Sequence, residues 1–205
     1  MLFLLLLSVL LSISPIQTKF GSYITQKINE DLGVNLTVDK VDFSLLGTVS
    51  LRGIKIKDHH KDTLIFVDKL STSILSANNI LKNKFTLGPV YIENAYYHMK
   101  TYLGEENDNM SIFIDSFSNK ETKDTTNVFK LDSENVYISN LDFKIINANT
   151  KDSVNYAVTN AGGNLQQLSI EGPNFSSKIR GLYFKDKFKL VVVNLSPDFP
   201  YSKQL

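Results

Sequence analysis

The chain has 205 residues, 42% of them hydrophobic, 11% aromatic and 21% charged, a globular balance that excludes a disordered chain. With 22 Lys+Arg against 21 Asp+Glu the net charge is +1, and no basic run interleaved with aromatics occurs, so nucleic acid is not an expected partner. There is no cysteine, which excludes disulfides, thiolate nucleophiles, cysteine zinc sites and lipid attachment through a thiol.

The first element is apolar. "MLFLLLLSVLLSISPIQT" carries no charge from Met1 to Thr18. Its densest part is Leu2, Phe3, Leu4, Leu5, Leu6, Leu7, Val9, Leu10, Leu11 and Ile13. As a helix, Met1 to Ile16 would measure roughly 24 Å at 1.5 Å per residue, against a bilayer core of about 30 Å. No Lys or Arg precedes the run and no small-x-small cleavage site follows it, so residues 1–15 read as a transmembrane signal-anchor with a truncated start. A secretion signal with an unusual front is the alternative. Pro15 closes this helix, because it lacks an N–H and clashes with the preceding turn.

Residues 16–33 follow as a short amphipathic helix. Ile16, Phe20, Ile24 and Ile28 recur every four positions, and Gly33 is a suitable stop. Such a stripe lies against the edge of the next element or at a membrane surface.

After Gly33 the period becomes two. "VNLTVDKVDFS" alternates at Val34, Leu36 and Val38, then at Val41 and Phe43. "TVSLRGIKIKD", "DTLIFVDKL", "KFTLGPVYIENAYYHMK", "FKLDSENVYISNLDFKII", "NLQQLSIEG" and "GLYFKDKFKLVVVNL" are further strand-like runs between turn-rich stretches. No second helix is expected, and short strands without crossover helices predict antiparallel pairing.

One phrase is written twice, as "VYIENAYYHMK" from Val90 and "VYISNLDFKII" from Val136. In each copy the apolar alternation slips by one residue. Val90 and Ile92 give way to Ala95, Tyr97 and Met99, and Val136 and Ile138 to Leu141, Phe143 and Ile145, with Asn94 and Asn140 at the slip. Val49 and Leu51, then Ile54 and Ile56, repeat the pattern around Gly53, and Leu168, Ile170 and Phe175 repeat it more weakly around Gly172. A slip would throw later side chains onto the wrong face unless a bulge or bend absorbs it, and Gly and Asn accept the positive φ this needs. The predicted fold is therefore mostly β: a membrane helix and a short amphipathic helix, then a curved antiparallel β-sheet groove over residues 34–205.

The order of these pieces resembles the AsmA-like superfamily, in particular the N-terminal region of TamB-type translocation and assembly modules. "SPIQTKFGSYITQKINEDLG" after an apolar helix is similar to that family's start. Leu51, Gly53, Ile54, Ile56 and Asp58, then Asp62, Thr63, Leu64, Asp68, Lys69 and Leu70, are similar to its most specific phrase. "FTLGPVYIENAYYHM" and "NMSIFIDSF" look like the segments that follow. The resemblance implies a single-pass protein of the Gram-negative inner membrane whose bulk lies in the periplasm and builds a repeating β-groove. It further implies a role without catalysis, in phospholipid transport between the two membranes and in envelope and outer-membrane biogenesis. Implied partners are phospholipids, the inner membrane and an outer-membrane barrel assembly protein. Complete members are several times longer, so the chain is expected to be the membrane-proximal part of a longer one. Physically, a sixteen-carbon tail exposed to water costs roughly 12 kcal/mol at about 0.8 kcal/mol per CH₂, and a continuous apolar trough removes that barrier.

Two readings of the phased apolar face stand beside each other. Val49, Leu51, Ile54, Ile56, Val90, Ile92, Tyr97, Val136, Ile138, Leu141, Phe143 and Ile145 either line a lipid groove, with bends at Gly53, Asn94, Asn140 and Gly172, or pack as ordinary core. Three functions follow: a lipid-conducting groove, a docking module of outer-membrane protein assembly that works by β-augmentation, and a secreted β-sandwich that binds something else. "DHHKD" at 58–62 reads as a solvated hairpin turn, since adjacent His59 and His60 would diverge on a strand. His98 stands alone in a strand, and no cofactor, catalytic group or metal ligand set is expected.

Overall fold

The computed structural model describes residues 21–22, 25–26, 29–30, 33–44, 47–75, 84–118, 130–150, 156–171, 174–186 and 198–201. The anchor residues Leu2 to Ile13, most of the amphipathic helix and Gly172 lie outside them. Among the described residues no helix is long and apolar enough to cross a membrane.

The strands are β1 (Asn35–Thr37), β2 (Lys40–Phe43), β3 (Thr48–Lys57), β4 (Thr63–Ser73), β5 (Lys84–Leu87), β6 (Val90–Thr101), β7 (Lys130–Asn147), β8 (Tyr156–Glu171), β9 (Asn174–Asp186) and β10 (Asp198–Tyr201). They form one curved, mixed, ten-stranded sheet in the order β1-β3-β4-β6-β7-β8-β9-β10, with β2 also on β3 and β5 also on β7. β1 and β2 continue one another along β3 in a single register, Thr37 opposite Lys55 and Lys40 opposite Arg52. β5 and β6 do the same along β7, broken only at Gly88 and Pro89.

The expected antiparallel sheet is corrected at its centre, where β6 and β7 run parallel. The two copies of the repeated phrase are these strands, paired residue for residue: Val90 with Val136, Tyr91 with Tyr137, Ile92 with Ile138. Parallel neighbours need a long crossover, supplied here by the chain between Thr101 and Lys130, which carries a helix, Asn109–Ser118. That helix corrects the expectation of none after Gly33. Asp108 caps it, accepting from the Met110 and Ser111 N–H groups at 2.9 Å each.

A row of bends crosses the sheet. Gly53, Asn94 and Asn140 have positive φ of 62°, 54° and 54°. Between Arg52–Lys69 and Ile54–Val67 the ladder skips Gly53 and Asp68, and along the next two interfaces it skips Asp68 with Asn94 and Asn94 with Asn140. From β3 to β7 each strand spends one residue at the same level, so register survives while the face is kept; between β7 and β8 the register shifts there, two residues against one. The row is thus a shared crease rather than a bulge on one strand. Asn140 donates through Nδ2 to Asn94 Oδ1 at 2.8 Å, and Asn94 donates through Nδ2 to Asp68 Oδ2 at 3.3 Å. At Gly53 no side chain fits, because an added Cβ would strike the Asp39 carboxylate. Left-handed backbone recurs at Asn160 and Gln167 on β8 and at Gly181 on β9.

The weak fourth copy is a different object. Ile170 is the last residue but one of β8 and Phe175 the second of β9, and the two strands pair antiparallel with Ile170 opposite Phe175 and Glu171 opposite Asn174. Its apolar residues therefore sit on two strands of a hairpin, and the left-handed residues of β8 fall earlier, at Asn160 and Gln167, the latter at a register shift against β9.

At the first edge of the sheet the described residues between Gly21 and Glu30 are helical. Gly33 ends this helix with φ 69° and its N–H on the Asn29 carbonyl at 2.8 Å. The Asn29 side chain then pairs with the backbone of β1, accepting from Leu36 N–H at 2.7 Å and donating to Leu36 O at 2.8 Å. A side-chain amide thus occupies hydrogen-bonding groups that an edge strand would otherwise offer to another chain.

Candidate functional site

Side chains directly across a ladder share a face, so the register builds the surface row by row. Leu51, Leu70, Ile92 and Ile138 form one row, opposite Gly163 on β8. Beyond the crease come Ile54, Val67, Ala95, Leu141 and Ala161, then Ile56, Ile65, Tyr97, Phe143 and Val158. Val90, Val136 and Leu165 extend it at one end, Met99, Ile145 and Tyr156 at the other. Val49 lies opposite Thr72. Ile54, Val67 and Ala95 are a buried cluster against which Leu51, Leu70, Ile92 and Leu141 pack, so the face is continuous across the crease.

All twelve positions expected to line a groove fall on strands β3, β6 and β7. Val136 is 2% exposed and Val90 4%, while Leu51, Ile92, Ile138, Leu141 and Phe143 keep intermediate exposure. Tyr97 stacks on Phe143 with centroids 5.1 Å apart. Burial pushes the Tyr97 phenol up to about 12, with the Asp108 charge as the lesser cause. The opposite face is polar and aromatic: the Lys69–Glu93 ion pair at 2.7 Å, the Tyr91–Tyr137 stack at 5.2 Å, and Lys55, Asp142 and Lys144. Among the described residues no second sheet covers the apolar side.

Several contributors were missed: Ile65, Val67 and Leu70 on β4, Val158, Ala161 and Leu165 on β8, and Leu36 and Val38 at the edge. The signal was present. Ile65, Val67, Leu70 and Thr72 slip by one residue at Asp68, as Leu36, Val38, Val41 and Phe43 do at Asp39. At the β5–β6 break a cleft of about 490 Å³ opens beside Leu75, Leu87, Pro89, Ser133 and Leu168.

A second constellation lies at the end of the sheet. The turn after β3 does not splay its histidines. His59 Nε2 stands 2.9 Å from Glu105 Oε2, and His60 Nε2 2.6 Å from Glu105 Oε1. The segment is the exposed hairpin turn expected between β3 and β4; the histidines do not diverge because strand alternation stops at Lys57. Hydrogen bonds from His60 and then His59 hold the Glu105 carboxyl below its usual range. Beside them, Tyr102 donates to Asp58 and Asp62 at 2.8 Å each, and burial together with those two carboxylates raises its phenol well above the ordinary value. Compared with known protein families and with curated proteins, the chain matches none.

Proposed function

We propose that the chain is the membrane-proximal part of a periplasmic β-groove protein. In this reading it is anchored by its N-terminal apolar segment, and its apolar face shields acyl chains during phospholipid transport across the envelope. The observation that carries this reading is the uninterrupted apolar face from β1 to β8, held on one side by a crease and left without a second layer among the described residues. A dry two-sheet sandwich would need a second apolar face to close it. Leu51, Ile92, Ile138, Leu141 and Phe143 on this face keep intermediate exposure, which leaves apolar surface for a ligand to cover. The one-sided pattern and the order of motifs along the chain support the lipid-groove assignment within the AsmA-like resemblance. Docking by β-augmentation is less favoured at the first edge, because Asn29 already bonds the β1 backbone there.

The test is native mass spectrometry after detergent-free extraction. Phospholipid should co-purify, and Ile138→Asp together with Leu141→Asp should abolish it while the sheet persists by circular dichroism. A clean lipid-free mass from the unaltered chain would overturn the proposal.

A further inference from the structure

The His59–His60–Glu105 cluster is independent of the groove. Three side chains from two loops converge, and the ligand-capable atoms all lie within 4.8 Å of one another. Both loops are fixed before any ligand arrives. Asp58 Oδ1 accepts from the His60 and Asp62 N–H groups at 3.0 Å each, and Lys61 holds φ 67°. Asp58 Oδ2 accepts from Tyr102 Oη at 2.8 Å and from the buried Asn109 Nδ2 at 2.9 Å. The second loop is tied to Asn149, whose Oδ1 accepts from Gly104 N–H and whose Nδ2 donates to Glu105 O, both at 2.7 Å. Tyr102 stacks on His60 with centroids 3.8 Å apart and orients its ring.

We propose that His59, His60 and Glu105 form a binding site for a divalent transition metal of the zinc class, with two imidazole nitrogens and one carboxylate as ligands and the remaining position open to water. Two nitrogens and one oxygen suit zinc, nickel or copper, whereas calcium and magnesium want an all-oxygen shell. Ligand bonds of about 2.0–2.1 Å to a tetrahedral ion place ligand atoms roughly 3.3 Å apart. About the single oxygen Glu105 Oε1, the His59 and His60 Nε2 separations of 3.1 Å and 2.6 Å need to open by roughly 0.2 Å and 0.7 Å. Lys100, beside Tyr102, is engaged elsewhere: its Nζ lies 3.2 Å from Asp62 and 4.1 Å from the Tyr102 ring centroid. The tie to Asp58 and Asn109 fixes the backbone of the turn that carries the two histidines. A bound ion would clamp the β3–β4 turn to the loop that leads into the helix.

Chelator-treated full chain is titrated with Zn²⁺ by calorimetry and with Co²⁺ by visible absorption. One equivalent of Zn²⁺ should bind, and Co²⁺ should show the strong bands of four-coordination. Glu105→Gln should weaken Zn²⁺ by more than about tenfold, and the pair His59→Ala with His60→Ala should lose it, with circular dichroism unchanged. Millimolar Mg²⁺ should not compete. Sub-stoichiometric uptake by the unaltered chain, or equal binding by the double variant, would show these contacts to be hydrogen bonds alone and sink the proposal. Should the double variant fail to fold, Glu105→Gln, which keeps the shape of the side chain, decides the matter by itself.

Discussion

Asparagine at 94 and 140 combines two properties that no other residue offers together here: a left-handed backbone at 54° and an amide that bonds its neighbour across the crease. Replacing Asn140 separates them. Asn140→Gly keeps the backbone and loses only the amide contact, an expected cost of at most about 1 kcal/mol. Asn140→Ala adds a left-handed penalty of about 1–2 kcal/mol, and Asn140→Val more, since β-branching crowds that region further. Urea midpoints should fall in the order Gly, Ala, Val; a valine variant as stable as the glycine one would remove the crease from the account. Four residues beyond Asn94, β6 holds a titratable probe. His98 lies below the ordinary value of 6.5, first through burial and then through Lys144, which sits across the parallel pair, with Asp142 pulling the other way. Because the folded state disfavours the charged ring, the unfolded chain binds the proton more tightly. Stability from this group is complete above about pH 6.5 and declines as pH falls toward the depressed folded value. The ring should titrate below 6.5 by NMR, and Lys144→Gln should move the midpoint upward. His98→Gln should flatten the acid side of the stability curve.

The helix Asn109–Ser118 is tied to the sheet and the β3–β4 turn through its first side chain. Asn109, 2% exposed, donates to Asp58 and to the His98 carbonyl at 2.9 Å and 3.1 Å, and accepts from the Lys100 N–H at 2.9 Å. Asn109→Leu fills a similar volume but leaves those partners without it, at a cost of about 2–4 kcal/mol. Hydrogen exchange should quicken at Lys100 and through the helix, while β7 and β8 stay protected; unchanged exchange at Lys100 would deny the anchoring role. This helix also marks where the chain was hard to read. Its signal, Asp108 followed by Met110, Phe113, Ile114 and Phe117 at helical spacing, is a short stripe inside a β-rich sequence. The crease was legible, because a one-residue slip carrying Gly or Asn is local. It went unnoticed at Asp39 and Asp68, where the slip residue is acidic. Parallel pairing of β6 and β7 was not legible, since alternation along a strand is the same whichever way its neighbour runs. The exposed turn at 58–62 was legible, but the His59–His60–Glu105 convergence was not, because it depends on two loops that meet only after folding.

A molecule with one greasy side has to keep that side from water, and its size sets how it would hold a ligand. The net charge of +1 offers little pull on anionic headgroups, so in the lipid-groove reading the affinity comes from hydrocarbon. Single-chain phospholipids of increasing length should then bind more tightly by two- to fourfold per methylene, since about 0.8 kcal/mol per CH₂ sets the upper slope. The same constants should barely move between low and physiological salt, because burial of apolar surface is not screened. Fluorescence displacement of an acyl probe measures both dependences in one titration series. Affinity that ignores chain length but collapses with salt would place binding at a headgroup site. Affinity that ignores both would leave the face as ordinary packing surface for another part of the protein.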